Sequence, residues 1–287
     1  MEYILAGITA GGQYALIAIG YTMVYGILRL INFAHGDVFM VAGLIMVYAS
    51  ATLPLFISLP LVLILTTLVG FLIERVAYKP LRSAPRMSSM ISAIGVSYLL
   101  QNLALYITGG LPKIYPNIAF FAETIVLFGA TTKRVTIITP ILTVLLLIGL
   151  VCLIRYTKIG MAMRAVSKDF ETSQLMGIKI NNVISTTFVI GSLLAAVGSI
   201  LYFSSYPSVT PTSGSLPGLR AFVAAVVGGI GSIPGAVVGG FIIGICENLV
   251  KATGYTIFSD ALTFLILIVI LCVRPTGIFG EKKIDKV

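Results

Sequence analysis

The chain has 287 residues, 58% of them hydrophobic and only 10% charged, with a net charge of +9 and a mean hydropathy of +1.06. A soluble domain carries about 25% charged residues, so the composition excludes a water-soluble globular fold. The positive charges lie in loops between apolar runs and form no clustered basic face, which excludes a nucleic-acid surface as well.

Taken in order, Tyr3 to Leu28 is the first apolar run, with Gly7, Gly11 and Gly12 near its start and Arg29 closing it. A second runs from Phe33 to about Leu53, ahead of Pro54, and a third from Leu59 to Ile73. Glu74 to Arg86 follows as a basic, proline-containing loop. The fourth span is about Met90 to Thr108. Gly109 and Gly110 open a mixed loop that carries Lys113, Glu123, Lys133 and Arg134. The fifth span is Thr136 to Ile154 and the sixth Val183 to Phe203, followed by a polar loop rich in turn residues. Leu219 to Ile230 is too short to cross a bilayer, and Gly231-Ser-Ile-Pro-Gly235 interrupts it. Gly231, Gly235 and Gly239, then Gly240 and Gly244, recur at four-residue spacing, which lets backbones approach closely in lipid. The last span is about Ile257 to Val273. The expectation is an all-α polytopic membrane bundle of about eight transmembrane segments, with a broken or re-entrant glycine-rich helix, forming one transmembrane domain over 1–287.

Arg155 to Lys179 is the longest charged stretch in the chain. Ser167 reads as a helix N-cap, Asp169 and Glu171 as first-turn acids, and Gly177 after Met176 as a left-handed C′ residue. A short capped helix between two spans suits a soluble partner; a solvated loop whose charges only fix topology is the competing reading. Placing Arg29, the Arg75–Arg86 loop, this stretch and the tail (Arg274, Lys282, Lys283, Lys286) in the cytoplasm puts the N-terminus outside and the C-terminus inside. Lys113, Lys133, Arg134, Arg220 and Lys251 then fall on the outer side.

Polar groups within spans are the functional candidates, because lipid does not solvate them. Gln101 and Asn102 lie near the middle of the fourth span, with Ser97 one turn before Gln101; they line a passage or bond a neighbouring helix. Asn32, Gly36, Phe39 and Gly43 share one helical stripe, flanked by His35 and Asp37. Asn32 reads as the cap of the second helix. Glu247 and Lys251, four apart, read as an interfacial ion pair. His35 is the sole histidine, and Cys152, Cys246 and Cys272 all lie in apolar runs, so neither a metal cluster nor a disulfide framework is expected. The N-terminal stretch carries Glu2 and no basic region, unlike a cleaved signal peptide. Phosphate-loop, HExxH and G-x-S-x-G motifs are missing, so ATP binding and hydrolase chemistry find no support.

INFAHGDVFMVAG (Ile31–Gly43), ERVAYKPLR (Glu74–Arg82), RAVSKDFETSQLMGI (Arg164–Ile178) and AAVVGGIGSIPGAVVGG (Ala224–Gly240) together resemble the Liv-type permeases. These are the H-type membrane subunits of bacterial ABC importers for branched-chain amino acids. The resemblance covers nearly the whole chain. It implies a multi-pass inner-membrane permease that performs no covalent chemistry and binds no cofactor itself. It also implies a second, related permease, two cytoplasmic ATPase subunits that bind ATP and Mg, and a periplasmic substrate-binding protein. Arg164, Ser167, Lys168, Asp169, Phe170, Glu171, Met176 and Gly177 are then expected to couple to the ATPase. Glu171-Thr-Ser-x-x-x-Gly177 matches the opening of the E-A-A-x-x-x-G coupling motif, whose downstream leucine-proline is missing here. Related permeases carry urea, short amides or other amino acids. An uncoupled channel and a membrane-embedded enzyme are the alternatives of other classes.

Overall fold

In a computed structural model the described residues, 2–82, 84–127 and 130–280, form a helical bundle. The helices follow from the apolar runs, because in lipid every backbone N–H and C=O must find its partner within the segment. In chain order they are α1 (Glu2–Leu28), α2 (His35–Thr52), α3 (Leu55–Ile73), α4 (Arg86–Thr108), α5 (Ala119–Ala122), α6 (Arg134–Tyr156), α7 (Lys158–Lys168), α8 (Phe170–Leu175), α9 (Ile180–Ser205), α10 (Ser215–Gly228), α11 (Ile233–Ala252) and α12 (Phe258–Val273). A π-helical turn, Glu74–Tyr78, and a 3₁₀ turn, Lys79–Leu81, extend α3. Strand β1 (Lys113–Ile114) pairs antiparallel with β4 (Ser208–Val209), and β2 (Thr124–Leu127) with β3 (Ala130–Lys133).

Seven of these helices are long and apolar enough to cross a membrane; α10 and α12 are shorter apolar helices. Lys282, Lys283 and Lys286 of the basic tail lie outside the described residues. The glycine-rich region is broken as expected, but its first half starts four residues earlier, at Ser215, and ends at Gly228. Gly229 and Gly231 take φ of 107° and 104°, conformations that favour glycine, and they turn the chain between α10 and α11. The carbonyls freed by that break are not left bare. Ile278 N–H donates to Val227 O at 3.0 Å and Phe279 N–H to Gly228 O at 2.9 Å.

α1, α9 and α11 form the buried centre, and small residues set the separation of α1 from α11. A Cβ on Gly7 would lie 2.9 Å from Ile245 Cα, and one on Gly244 would lie 2.2 Å from Gly11 N. The stripes at Gly7–Gly11 and Gly240–Gly244 thus interleave, a packing that larger residues would forbid. α3, α4, α6 and α12 surround this centre and turn many apolar side chains outward, as lipid-facing helices do.

Candidate functional site

A cleft of about 360 Å³ opens where α1, α2, α4 and α10 meet. Tyr21, Gly36, Asp37, Ser97 and Gln101 line it, together with Gly214, Ser215 and Gly218 at the start of α10. Ile94, Leu219 and Phe222 supply apolar wall. Asp37, almost fully buried in the first turn of α2, accepts from the Ser97 hydroxyl at 2.5 Å and from Gln101 Nε2 at 3.0 Å. Ser97 is midway along α4, so this polar group sits deep between the two faces of the bundle. α2 starts beside the interior of α1 and not level with its end: the imidazole of His35 packs on Gly20, well inside α1.

The stripe on α2 divides. Asn32 is not on the helix and does not cap it: α2 begins after Ala34, with no side-chain cap. Asn32 Oδ1 instead accepts from the Tyr78 hydroxyl at 2.9 Å. Gly36 packs backbone to backbone with α10, where a Cβ would lie 2.6 Å from Gly214 O and 3.1 Å from Gly218 Cα. Phe39 and Gly43 pack on Phe203 of α9. His35 is fully buried against α1 and does not line the cleft. Asn102 parts company with Gln101. One residue along is about 100° around the helix, and its amide bonds Tyr98 O on an exposed face at 2.8 Å.

The charged stretch after α6 is two helices, not one. Thr157 caps α7 by accepting from Gly160 N at 3.1 Å. Ser167 lies inside α7, its hydroxyl donating to Arg164 O at 2.9 Å, so it is not the cap expected of it. Asp169 is: it adopts an extended conformation and accepts from the N–H groups of Glu171 at 2.9 Å and Thr172 at 3.2 Å. A carboxylate wins this position because charge-assisted bonds to free helix N–H groups exceed those of a hydroxyl. The Thr172 hydroxyl, then the Thr172 and Glu171 amides, hold this carboxyl below its ordinary pKa. Gly177 takes φ of 81°, and its N–H bonds Gln174 O while Ile178 N–H bonds Ser173 O, a Schellman ending. Lys168 ends α7 and Phe170 opens α8. Leu175 and Met176 are 88% and 79% exposed, with Phe170 and Glu171 exposed beside them. Arg164 Nη1 donates to Ile154 O, tying α7 back to the end of α6.

A family described as the permease component of branched-chain amino acid transport systems matches residues 3–271. The chain belongs to that family. It is 40% identical to the high-affinity branched-chain amino acid transport permease BraD of Pseudomonas aeruginosa, over all of this chain and 98% of the relative. Identity is also 40% to LivH of Escherichia coli, over all of this chain and 97% of that protein. A probable LivH of Methanocaldococcus jannaschii is 30% identical over 92% of this chain and 88% of its own length. This chain is accordingly a multi-pass membrane permease, a component of a transport system.

Two polar clusters of the permease escaped the sequence reading. In the first, Glu74 is fully buried, pairs with Arg82 and accepts from the Ser185 hydroxyl at 2.7 Å. Arg82 also bonds Asn181 at the start of α9. With the Tyr78–Asn32 bond, the ERVAYKPLR segment thereby joins the end of α3, the start of α9 and the turn before α2. In the second, Glu247 is not an interfacial partner of Lys251 alone. Its side chain is wholly buried, accepts from the Tyr14 hydroxyl at 2.8 Å, and pairs with Arg220 at 2.9 Å as well as Lys251 at 2.5 Å. Arg220 reaches on to Asp260 at 2.5 Å. It sits within α10, not in a loop, and the cluster ties α1, α10, α11 and α12 together. Spacing along the chain showed only the Glu247–Lys251 pair; the other partners come from distant segments.

Proposed function

We propose that the chain is the membrane-spanning permease subunit of an ATP-driven importer for branched-chain amino acids. One transmembrane domain spans the chain, the N-terminus outside and the C-terminus in the cytoplasm. A second, related permease pairs with it, a periplasmic binding protein delivers the substrate, and two cytoplasmic ATPase subunits bind ATP and Mg and drive the cycle. The observation that carries the reading is the cleft: a mid-depth cavity within the range of about 300–1,000 Å³ usual for small-ligand sites, with few polar groups and an apolar wall. A narrow aqueous channel would not need such a wall. ATP binding moves α7 and α8, and the bundle rocks around the cleft to alternate its access. The permease itself makes and breaks no covalent bond.

The test is reconstitution of the chain with its co-expressed partner subunits in proteoliposomes. Leucine-loaded binding protein is expected to raise ATP hydrolysis and to deliver leucine into the lumen. Uptake of urea or short amides but not of branched-chain amino acids would replace the substrate. Leucine flux that needs no ATP would replace the importer reading with a channel.

A further inference from the structure

We propose that Asp37 binds the ammonium group of the transported amino acid, with Ser97 and Gln101 as its positioning residues and Ile94, Leu219 and Phe222 receiving the aliphatic side chain. The inference rests on the importer reading above and names the chemistry of its site. Three observations carry it. First, Asp37 lines the cleft while remaining almost wholly removed from water. Second, its two protein partners, Ser97 and Gln101, are neutral, and among the described residues it forms no ion pair with Lys, Arg or His. The other buried acids, Glu74 and Glu247, each have a guanidinium. A carboxylate buried without a cation is costly, and within a membrane protein such a group marks a ligand path. An ammonium group entering the cleft supplies the missing counter-charge. A carboxylate offers about four acceptor positions; two are used, so its capacity for that donor remains.

Third, the rest of the cleft fits the rest of the ligand. α10 begins at Gly214–Ser215 on the cleft wall with no side-chain cap. The Ser215 N–H is bonded to Thr212 O and Pro217 has no N–H, so what α10 offers the carboxylate of a zwitterion is the partial positive charge of its dipole and not a set of free donors. The Gly36–Gly214–Gly218 contact brings the starts of α2 and α10 together, so acid and helix end border the same small space. Gln101 also bonds the Ser97 hydroxyl at 3.3 Å, fixing both donors on one face of the carboxylate.

The test uses the assembled permease complex. Tyr98 borders the cleft and is exposed, so Tyr98→Cys is labelled with a maleimide and protection by ligands is read against a Tyr98-containing control that accounts for the native cysteines. Leucine and leucine amide, which carry the ammonium group, are expected to protect; 4-methylpentanoate, which lacks it, is not. Asp37→Asn is expected to weaken leucine protection, and to raise the KM for uptake, by about tenfold or more, the usual weight of a hydrogen bond to a charged group. Asp37→Glu, which keeps the charge, is expected to recover part of both. Protection by 4-methylpentanoate equal to that by leucine, or an Asp37→Asn complex that assembles and behaves as wild type, overturns the assignment. So does an Asp37→Asn effect confined to complex yield. If the wild-type complex imports no neutral amino acid, the importer reading itself fails; if it does and Asp37→Asn changes nothing, only this assignment fails.

Discussion

At Gly36 a single hydrogen atom in place of a side chain decides whether two helices meet. Any Cβ there would lie 2.6 Å from the Gly214 carbonyl oxygen, which is backbone and cannot swing aside. Gly36→Ala is therefore expected to cost about 1–3 kcal/mol as an overpacked contact, and Gly36→Leu to part α2 from α10 and open the cleft. Complex yield and leucine uptake measure this together; normal values of both for Gly36→Leu would show that the two helix starts do not need their contact. Gly20 obeys the same logic against His35, whose Nε2 would lie 2.1 Å from a Cβ. The sole histidine thus packs as a space-filling group between helices. Its neighbour Asp37 lines the cleft instead, because residues two apart point to different sides of a helix.

Among the elements, the π-helical turn at Glu74–Tyr78 joins regions that the chain order keeps apart. It touches the start of α9, directly after α8, through Ser185 and through Arg82 and Asn181, and it touches the turn before α2 through Asn32. These bonds join the start of α9, which follows α8 in the chain, to the turn before α2. Glu74→Gln leaves Arg82 without its counter-charge. Breaking a buried pair costs about 3–5 kcal/mol, and the lower end is expected here because Arg82 keeps some contact with water. The variant should lower thermal stability and raise the ATP hydrolysed per leucine moved. Adding Arg82→Met should restore stability but not coupling, if the bonds to Ser185 and Asn181 transmit the motion. Restoration of both would reduce the cluster to a staple.

For the whole molecule, the distribution of exposed apolar surface separates lipid from partner. Side chains on the spans α3, α4 and α6, and on the shorter apolar α12, face outward, where hydrocarbon covers them. Phe170, Leu175 and Met176 belong to α8 and its ending, next to charged Lys168, Asp169 and Glu171 and outside any span. An apolar patch in that setting marks an interaction surface. Phe170→Cys is expected to crosslink to an ATPase subunit in an active complex, and Leu175→Asp to abolish stimulated hydrolysis while leaving membrane insertion intact. Absence of any crosslink in a complex that transports would return the stretch to a topogenic loop.

What the chain order settles by itself is whatever depends on neighbours in sequence. Apolar runs near the length of a bilayer produced the spans, because lipid leaves the backbone no other way to satisfy its hydrogen bonds. Gly177 was legible as a helix ending and the Gly231–Gly235 interruption as a break, because both act on their own segment. Ser97 and Gln101 were legible as a pair one turn apart, but not the acid they hold, since Asp37 is brought to them from another helix. Asn32, Glu74, Arg220 and Glu247 were misplaced or passed over for a related reason: each has at least one partner far away in the chain, Tyr78, Ser185, Asp260 and Tyr14 respectively. Ser167 lost the cap to Asp169 through a local competition that spacing does not rank, between a hydroxyl and a carboxylate two residues on. The depth of the cleft in the bundle was set by the start of α2 beside Gly20 of α1 and by glycine contacts between α2 and α10. Such close approaches exist only once the helices have packed, so only the tertiary structure decides where in the membrane a charge may lie.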